Sequence, residues 1–458
     1  MSLTPSTTTL ITELRDRVRG RVIGPDDADY DQARTVTMGG IDRHPVAIVC
    51  VADTDDVAQV IATAREAELE LAVRSGGHSS AGHSLTEGGI VLDLRDMNAA
   101  DFDLDAGTVW AQAGLSAGEL TTQAAEHGVA VGFGDTGSVG IGGITLGGGI
   151  GYLGRKYGLT IDSLLAAEVV TADGQVLRAS QDEHPDLFWA LRGGGGNFGV
   201  VTGFQYRVHP LPSFYGGMLL LPATAETVAG FVAAADAAPD ELSTIANVMP
   251  TPPMPFVPEV WHGKLAIMGM LGYAGEPDAG ERAVAPFRAL AEPIADMVRP
   301  MGYPEMYPPE DDSYHPLAVA HTLFIDHVDL PVAETIMRWL NDSDAAMRVA
   351  QLRVLGGAIA RVAADATAYA HRSQPILVNV AAFYEGPDDK PIRQAWVEGF
   401  RDALRGDNHA AYVNFVGDEG DARVHDAYPA ATFERLARVK AQYDPQNVFR
   451  LNQNVAPA

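Results

Sequence analysis

The stretch GFGDTGSVGIGGITLGGGIGYLGRKYG, residues 132–158, is the densest run of glycine in the chain. So many glycines let the backbone pass very close to a large planar ligand, because glycine has no Cβ to hold the chain away. Residues 149–154 of this run also match G-x-G-x-x-G. A Rossmann fold needs an apolar strand before that motif and a helix after it. Glycine-rich sequence precedes the match instead, so we interpret it as accidental.

A second loop, VRSGGHSSAGHS at residues 73–84, follows a short apolar segment that predicts a strand. Consecutive Gly and Ser residues can turn several N–H groups inward and form a concave site for phosphate. A histidine inside such a loop lies beside the bound ligand. One alternative is a surface loop with two incidental histidines. Another is a metal site of His78 and His83, although no carboxylate or cysteine stands near them at ligand spacing.

Hydrophobic periodicity around these loops predicts mixed α and β structure up to about residue 210. The pattern predicts strands at 45–51, 71–73 and 89–94, helices at 54–66 and 116–127, a hairpin over 168–179, and a strand that ends near Val208. Beyond Leu211, proline-rich stretches at 250–258 and 300–316 predict long loops over a surface or pocket, and not core elements. Amphipathic helices are predicted at 392–404 and around 433–439, the second one ending at Tyr443-Asp444-Pro445.

Composition excludes several classes of protein. The 458 residues include 32 Lys and Arg against 60 Asp and Glu, a formal charge of −28 that repels nucleic acids and anionic membranes. Cys50 is the single cysteine, which excludes an internal disulfide framework. We find no apolar run of about 18 residues and no signal-peptide pattern. The expectation is a soluble, cytoplasmic protein, and the Ala, Gly, Val and Arg usage suggests a bacterial source.

Four motifs follow one another along nearly the whole chain. They are RSGGHS at 74–79, VGIGGITLGGGIGYLGRKYGL at 139–159, RGGGGNFGVVT at 192–202 and YDPQNVFRLNQN at 443–454. Together they resemble the FAD-linked oxidases of the vanillyl-alcohol-oxidase type, with a PCMH-type FAD-binding domain, in the berberine-bridge-enzyme-like branch. Any one motif alone is weak evidence, but their order and combination are specific.

The resemblance implies an α+β fold with a two-part FAD domain. Residues 1–210 would form its first part and residues 416–458, the berberine-bridge-like segment, would complete it. Residues 211–415 would form a substrate domain, an antiparallel sheet backed by helices.

The resemblance also implies FAD that is covalently attached through His78, a ring nitrogen being bonded to the flavin 8α-methyl carbon. Bicovalent relatives add a cysteine three residues before the motif valine, Val139. That position is Thr136 here, so we predict one link only. The other residues implied at the cofactor are Arg74, Ser75, Gly76, Gly77, Ser79, Gly82, His83, Ser84, Thr136, Gly137, Val139, Gly140, Gly142, Gly143, Gly148, Gly149, Tyr152, Leu153, Gly199, Val200, Val201, Tyr412, Asn414, Asn452 and Asn454.

The segment Tyr412-Val413-Asn414-Phe415 resembles the family's Y-x-N-Y, in which a tyrosine can act as the catalytic base. The resemblance makes Tyr412 and Asn414 the candidate catalytic residues, although Phe415 replaces the second tyrosine. A neutral tyrosine needs a cationic or hydrogen-bonding neighbour to act near pH 7. The alternative is that Tyr412 and Asn414 are buried residues that only shape the pocket. For Asn452 and Asn454 the alternative is a plain capping role.

Three further features bear on the substrate. Arg353 could face the pocket and bind an anionic or phenolate group, or it could be an ordinary surface arginine. Tyr303, Tyr307 and Tyr314 could line a lid over aromatic substrates, or they could be packed coil. In the family, a residue as small as the motif valine tends to admit O2 to the flavin.

These features predict an oxidase that takes hydride from a small hydroxylated or aromatic metabolite, polyketide-like or N-heterocyclic, and passes electrons to O2 to form H2O2. Its partners would be that small molecule and O2, without nucleic acid or membrane, in a monomer or homodimer. One alternative is a sugar or oligosaccharide oxidase, for which an open groove would be expected. Others are a flavin dehydrogenase with another acceptor and, from a different class, a protein that sequesters a metabolite without turnover.

Overall fold

The structure is a computed structural model that describes residues 7–307, 311 and 313–458. The first residues of the chain and part of the predicted 300–316 loop therefore lie outside the described residues. No helix in the described ranges combines the length and the apolar character that crossing a membrane requires.

The helices and strands follow one another along the chain as mixed α and β structure. The α-helices are α1 Thr7–Arg17, α2 Tyr30–Arg34, α3 Thr54–Glu66, α4 Ala117–Glu126, α5 Ile141–Gly147, α6 Gly154–Tyr157, α7 Pro185–Leu191, α8 Ala225–Asp236, α9 Pro277–Arg288, α10 Leu330–Asp342, α11 Gly357–Arg361, α12 Lys390–Arg405, α13 Asp421–Ala427 and α14 Ala430–Tyr443. The strands are β1 Arg21–Ile23, β2 Ala47–Cys50, β3 Leu71–Arg74, β4 Ile90–Asp93, β5 Ala100–Asp103, β6 Thr108–Gln112, β7 Val129–Ala130, β8 Leu164–Val170, β9 Val176–Ser180, β10 Val200–Arg207, β11 His209–Pro210, β12 Phe214–Pro222, β13 Leu242–Pro250, β14 Leu265–Tyr273, β15 Ala295–Asp296, β16 Arg299–Met301, β17 Ala318–Ile325, β18 Arg348–Val354 and β19 Ile376–Phe383.

A four-stranded sheet, in the order β1-β2-β4-β3, carries the RSGGHS loop at the end of β3. Strands β2, β4 and β3 are parallel, and every residue of β2 and β4 is buried. Parallel strands need a crossover connection, and α3 supplies it between β2 and β3. Asp53 caps α3 by accepting a hydrogen bond from the Asp56 N–H. This unit places His78 just beyond the carboxyl end of a buried strand.

A five-stranded antiparallel sheet, in the order β5-β6-β10-β8-β9, stands beside the first. Its core is continuous with that of the parallel sheet and also includes residues from the far end of the chain, such as Leu436, Phe449 and Val455. The C-terminal segment therefore packs into the N-terminal half of the molecule.

The middle of the chain forms a larger antiparallel sheet, in the order β15-β12-β14-β13-β18-β19-β17, with β16 also paired to β12. Side chains along each strand point alternately to the two faces of the sheet. One face packs against helices α8, α10 and α12 in a core of its own. The opposite face turns toward the glycine-rich loops. The predicted boundary at residues 210 and 211 falls in the short connection between β11 and β12.

The α+β architecture with an antiparallel sheet backed by helices is confirmed. The structure also confirms helix 54–66, the helix that Ser116 caps, the 168–179 hairpin and the end of α14 at Tyr443. Helix α5, not a strand, precedes the 149–154 match, so the Rossmann interpretation is excluded. The prediction that 300–316 is a loop and not a core element is wrong at its start, because β16 pairs with β12 and the short 3-10 helix Tyr303–Met306 buries Tyr303 and Met306.

Candidate active site

The two glycine-rich loops touch backbone to backbone. A Cβ on Gly76 would lie 2.2 Å from the Gly140 nitrogen, and a Cβ on Gly140 would lie equally close to Gly76. Ser75 secures the contact, because its Oγ donates to the Ala113 carbonyl at 2.7 Å and accepts from the Gly142 N–H at 3.2 Å. The contact brings the RSGGHS and VGIGG motifs to one place.

His78 lies at this junction and is partly exposed. Its Nε2 is 2.9 Å from the Ser138 Oγ, so the second loop orients the imidazole. Thr136 stands two residues before Ser138 and carries no thiol for a second link. The loop is tied to the start of α4, because the Gly118 N–H donates to the Gly137 carbonyl and the Ala117 N–H donates to the Val139 carbonyl, each at 2.8 Å.

Arg74 is buried at the base of the loop, and its Nη1 has no hydrogen-bonding partner in the part of the chain that the structure describes. Its guanidinium donates to the Asp93 carboxylate, from Nε at 2.9 Å, and both side chains are buried. The exposed Arg95 pairs with the same carboxylate. Arg74 therefore anchors the end of β3 from which the loop begins.

The second half of the loop closes on itself. The Gly82 N–H donates to the Ser79 carbonyl at 3.0 Å, and Gly77 and Gly82 both have positive φ of 74°. Burial lowers the pKa of His83 to about 4, so its ring is neutral at pH 7. The Ser84 Oγ is buried without a partner. In the described ranges, no group of three or more His, Cys, Asp or Glu side chains is placed to hold a metal ion.

The third and fourth motifs are joined by Asn197. Its Nδ2 donates to the carbonyls of Gly194, at 2.8 Å, and Gln453, at 3.2 Å, and its Oδ1 accepts from the Val455 N–H at 2.9 Å. The neighbouring Asn452 and Asn454 each have a buried side-chain oxygen without a partner. Gly199, Val200 and Val201 are buried where β10 begins.

Tyr412 and Asn414 lie together against the glycine run. The Tyr412 hydroxyl oxygen accepts from the Gly149 N–H at 2.9 Å and from the Asn414 Nδ2 at 3.0 Å. Burial raises the pKa of Tyr412, and these two hydrogen bonds act in the opposite direction. Asn414 also occupies the space that a Cβ on Gly147 would need, and the rings of Tyr412 and Tyr369 cover Gly148.

The face of the large sheet that turns toward these loops carries a row of amides. Asn247, Gln351 and Asn379 are cross-strand partners on β13, β18 and β19. The Gln351 Nε2 donates to the Asn247 Oδ1 at 2.8 Å, and the Asn247 Nδ2 donates to the Met268 carbonyl at 3.2 Å. All three amides are partly exposed. On β12 and β14 the same face of the sheet is apolar, with the partly exposed Met218, Met268 and Met270.

Arg353 connects the amide row to the glycine-rich loop. It is 4% exposed, so it is not a surface arginine. Its Nη2 lies 2.8 Å from the Asp135 carboxylate, its Nε donates to the Gln351 Oε1 at 2.9 Å, and its guanidinium stacks 5.0 Å from the Phe415 ring centroid. Because Asp135 neutralises the positive charge of Arg353, that charge is not available to bind an anionic substrate.

Aromatic side chains close one side of this region. Tyr152, Tyr303 and Tyr307 share a cluster, and the Tyr307 hydroxyl donates to the Gly134 carbonyl at 3.1 Å. Burial raises the pKa of Tyr307 to about 12 and holds the pKa of Tyr152 well above its usual range. Tyr314 is 61% exposed and takes no part, so two of the three predicted lid residues are brought together. Tyr152 and Leu153 lie at this interface between the two halves of the molecule.

Asp135, Asn247, Gln351 and Asn379 are absent from the residues that the sequence predicts. The amides come from strands far apart in the chain, and only a polar residue recurring in otherwise apolar strands could have indicated them. Asp135 lies within the quoted glycine run. Nothing in the run distinguishes this carboxylate from a surface one until its arginine partner is known.

Three features of the loops fit FAD. Gly76 and Gly143 are exposed, and a Cβ on Gly143 would meet nothing within 4 Å, which leaves bare backbone open to a ligand. Buried oxygens of Ser84, Asn452 and Asn454 lack partners in the protein, as expected for groups that bind a polar cofactor. His78 lies at the junction of the two loops, within reach of a ligand bound there.

Comparisons with known proteins agree with these features. Residues 45–180 match the family model described as FAD binding domain, and residues 411–456 match the one described as berberine and berberine like. The (R)-6-hydroxynicotine oxidase of Paenarthrobacter nicotinovorans is 30% identical over 96% of this chain and 97% of its own. The xylooligosaccharide oxidase of Thermothelomyces thermophilus is 27% identical over 90% of this chain and 88% of its own.

The crystal structure of 6-hydroxy-D-nicotine oxidase from Arthrobacter nicotinovorans superimposes with a TM-score of 0.86 and 28% identity, over 96% of this chain and 98% of that one. Family models, a full-length relative and a solved structure thus agree with the four motifs and with the loops they form. The chain belongs to the berberine-bridge-enzyme-like family of FAD-linked oxidoreductases.

Proposed function

We propose that this enzyme is an oxidase with FAD covalently attached through His78 alone. The observation that carries the proposal is the position of His78, held by Ser138 where the two glycine-rich loops touch. FAD, when bound there, would supply an acceptor for the substrate's hydride and a route for the two electrons to O2. Thr136 stands in place of the cysteine that would form a second link, which supports a single link.

The protein side of this site divides into three tasks. The exposed backbone at Gly76 would bind the cofactor diphosphate, and the unpartnered oxygens of Asn452 and Asn454 would accept hydrogen bonds from N–H or O–H groups of the cofactor. The contact between Gly76 and Gly140 would keep the loops closed around it. Val139 would leave room for O2.

The sheet face supports a small hydroxylated aromatic or N-heterocyclic substrate. Methionine side chains on one side would contact a flat apolar ring. The amides of Asn247, Gln351 and Asn379 on the other side would bind hydroxyl or ring-nitrogen groups. The tyrosine cluster closes the region, which favours an aromatic ligand. A relative named for 6-hydroxynicotine, an N-heterocyclic compound with a hydroxyl group, points the same way.

The amide row also favours one second candidate, a sugar or oligosaccharide oxidase. Partly exposed Asn and Gln side chains side by side on a sheet can hydrogen-bond to adjacent sugar hydroxyls. A relative named as a xylooligosaccharide oxidase is consistent with this candidate.

Acid denaturation of the purified protein tests the covalent link. We expect the yellow colour to stay with the precipitate and to map to the peptide that contains His78. His78→Ala should release the flavin on denaturation, whereas Thr136→Ala should keep it bound. A flavin that washes out of the wild type, or one bonded to another residue, would contradict the proposal.

Release of H2O2 then identifies the substrate class. Hydroxylated aromatics and hydroxypyridines that carry an alcohol or amine C–H should give H2O2 at rates well above those given by xylo- and cello-oligosaccharides. The reverse order would favour the sugar oxidase. Flavin that is reduced by substrate but reacts sluggishly with O2 would indicate a dehydrogenase, and tight binding without reduction would indicate sequestration.

A further inference from the structure

Oxidation by hydride transfer needs a group that takes the proton from the substrate's hydroxyl or amino group. Tyr412 is poorly placed for this task. It is 2% exposed, and its hydroxyl oxygen already accepts hydrogen bonds from Gly149 and Asn414. Burial raises the pKa of Tyr412, and although these hydrogen bonds act to lower it, a hydroxyl that is buried and bonded within the protein is not open to a substrate.

Asp135, unlike Tyr412, has a partly exposed side chain that a substrate could reach. Its side chain is 23% exposed, and one oxygen, Oδ2, receives the Arg353 Nη2 at 2.8 Å. Arg353 is its only hydrogen-bonding partner in the described part of the chain, so Oδ1 remains available to a ligand. The pKa of Tyr152 is raised mainly by burial and then by the negative charge of Asp135, so the carboxylate lies close to Tyr152. Asp135 therefore lies at the edge of the tyrosine cluster and the amide row.

Asp135 is also close to the proposed flavin attachment. It is three positions before Ser138, whose Oγ contacts His78. Three residues of extended chain span at most about 11 Å. Arg353 reaches Asp135 from β18 of the large sheet, so the pair lies between the loop that holds His78 and the face that would hold the substrate.

We propose that Asp135 is the catalytic residue that accepts the substrate's proton, and that Arg353 is the positioning residue that holds Asp135 in place. The proposal rests on the proposed function. The substrate's O–H or N–H bond breaks and its proton passes to Asp135 Oδ1, while the adjacent C–H bond breaks and its hydrogen leaves as hydride to FAD. A C=O or C=N bond forms. The two electrons then pass to O2, which takes up that hydrogen and the proton from Asp135 to become H2O2.

This assignment restricts the substrate. Because Arg353 is already neutralised by Asp135, the site favours a neutral group that donates a hydrogen bond over an anion. Aromatic alcohols and amines whose hydroxyl-bearing or amino-bearing carbon carries a hydrogen meet this requirement in their neutral form, whereas carboxylates and phenolates would face Asp135 as a like charge.

Binding of 4-nitrophenol to the holoenzyme tests the contact without turnover, since the phenolate is yellow and the neutral phenol is not. We expect the wild type to bind the neutral form, so that the phenolate colour falls on binding. Asp135→Asn keeps an oxygen for Arg353 but removes the negative charge, and it should bind the phenolate at least tenfold more tightly than the wild type does. Asp240→Asn, which alters an exposed ion pair with Arg361, serves as the matched control and should behave as the wild type.

The second measurement is anaerobic bleaching of the flavin by the best substrate found through H2O2 release. Asp135→Asn should slow bleaching by about 100-fold or more, in the range of a lost general base. Tyr412→Phe should slow it by less than tenfold. Added formate should restore part of the rate to Asp135→Ala, because a small carboxylate can take the vacated place.

The proposal is overturned if the wild type binds 4-nitrophenol as the phenolate or not at all. It is equally overturned if Asp135→Asn leaves the bound form unchanged, or if Tyr412→Phe shows the larger loss of rate. Failure of the proposed function looks different, because no substrate would then bleach the wild-type flavin. The binding of 4-nitrophenol would still decide the role of Asp135.

Discussion

The site depends on the lack of a Cβ atom at Gly76 and at Gly140. Each glycine occupies the space that a Cβ on the other would need, so the two loops approach more closely than any pair of larger residues allows. Neither residue has a positive φ. The requirement at both positions is therefore one of space and not of backbone conformation.

Gly140→Ala should push the loops apart and lower both thermal stability and flavin content. The added methyl group would lie 2.2 Å from Gly76 N and from Ser75 Oγ, and overpacking of this kind costs about 1–3 kcal/mol. Thermal denaturation with the flavin-to-protein absorbance ratio measures both effects. Gly143→Ala, three residues away with nothing within 4 Å, is the matched control for stability. Equal stabilities of the two variants would contradict the steric argument.

His83 makes stability depend on pH at the residue scale. Its folded-state pKa of about 4 lies below the ordinary value of 6.5, because burial disfavours the charged ring. The unfolded chain therefore binds more protons between these two values, and stability falls as the pH falls through that window. His83→Asn should lose less stability than the wild type between pH 7 and pH 5 in denaturant titrations. An identical loss in the two proteins would show that His83 is not responsible.

At the scale of elements, the C-terminal helix α14 is fastened by a buried ion pair. Lys440 and Asp444 are fully buried, 2.7 Å apart, and the Lys440 Nζ also donates to the carbonyls of Asn197, at 2.7 Å, and Phe449, at 2.9 Å. Three chain segments thus meet at one ammonium group. The motif that ends the chain is held against the third glycine cluster in this way.

Lys440→Met should destabilise the protein by about 3–5 kcal/mol, because it leaves the Asp444 carboxylate buried without its counter-charge. Chemical denaturation measures the change. The control is Arg435→Gln on the same helix, which removes an exposed pair with Asp186 and a contact 3.9 Å over the Trp189 ring and should cost at most about 2 kcal/mol. A small effect of Lys440→Met would mean that the pair does not hold the segment.

The elements also show what sequence patterns can and cannot predict. Helix α3 has the predicted bounds because its signals are local, an aspartate cap followed by Val57 and Val60 on one face. The amide row depends instead on the register among β13, β18 and β19, which brings residues 247, 351 and 379 side by side. Pairings over such distances are set by packing of the whole sheet and leave no periodic signal. The same holds for Arg353, whose burial depends on a partner more than 200 residues away.

At the scale of the molecule, the fold was recognisable because four short motifs carry the close contacts of the FAD domain. The four motifs predict the positions of individual side chains less well than they predict the fold. Arg74 supports the loop from below, and Tyr152 and Leu153 lie at the interface with the large sheet. A motif reports that a position matters to the fold, but whether its side chain faces a ligand depends on the packing around it.

The charge of −28 gives a further prediction for the whole molecule. Excess negative charge repels itself in the compact state, and salt screens that repulsion. Raising NaCl from about 10 mM to about 300 mM should therefore raise the melting temperature at pH 7. Sucrose at matched osmolality controls for general solute effects. A melting temperature that falls with salt would mean that favourable ion pairs outweigh the net repulsion.

The core shared by the first and last parts of the chain has a consequence for how the protein is made. Val455 donates to Asn197, and Phe449 lies in one core with strands that are synthesised hundreds of residues earlier. A ribosome synthesises the chain from its N-terminus onward, so the core that the first strands begin is completed only when residues 449–455 have been added. Its early strands must wait, incomplete, while the whole middle domain emerges and folds. The flavin can therefore bind in a completed site only after residues 449–455 have been synthesised, and a nascent chain stalled before residue 440 should remain colourless.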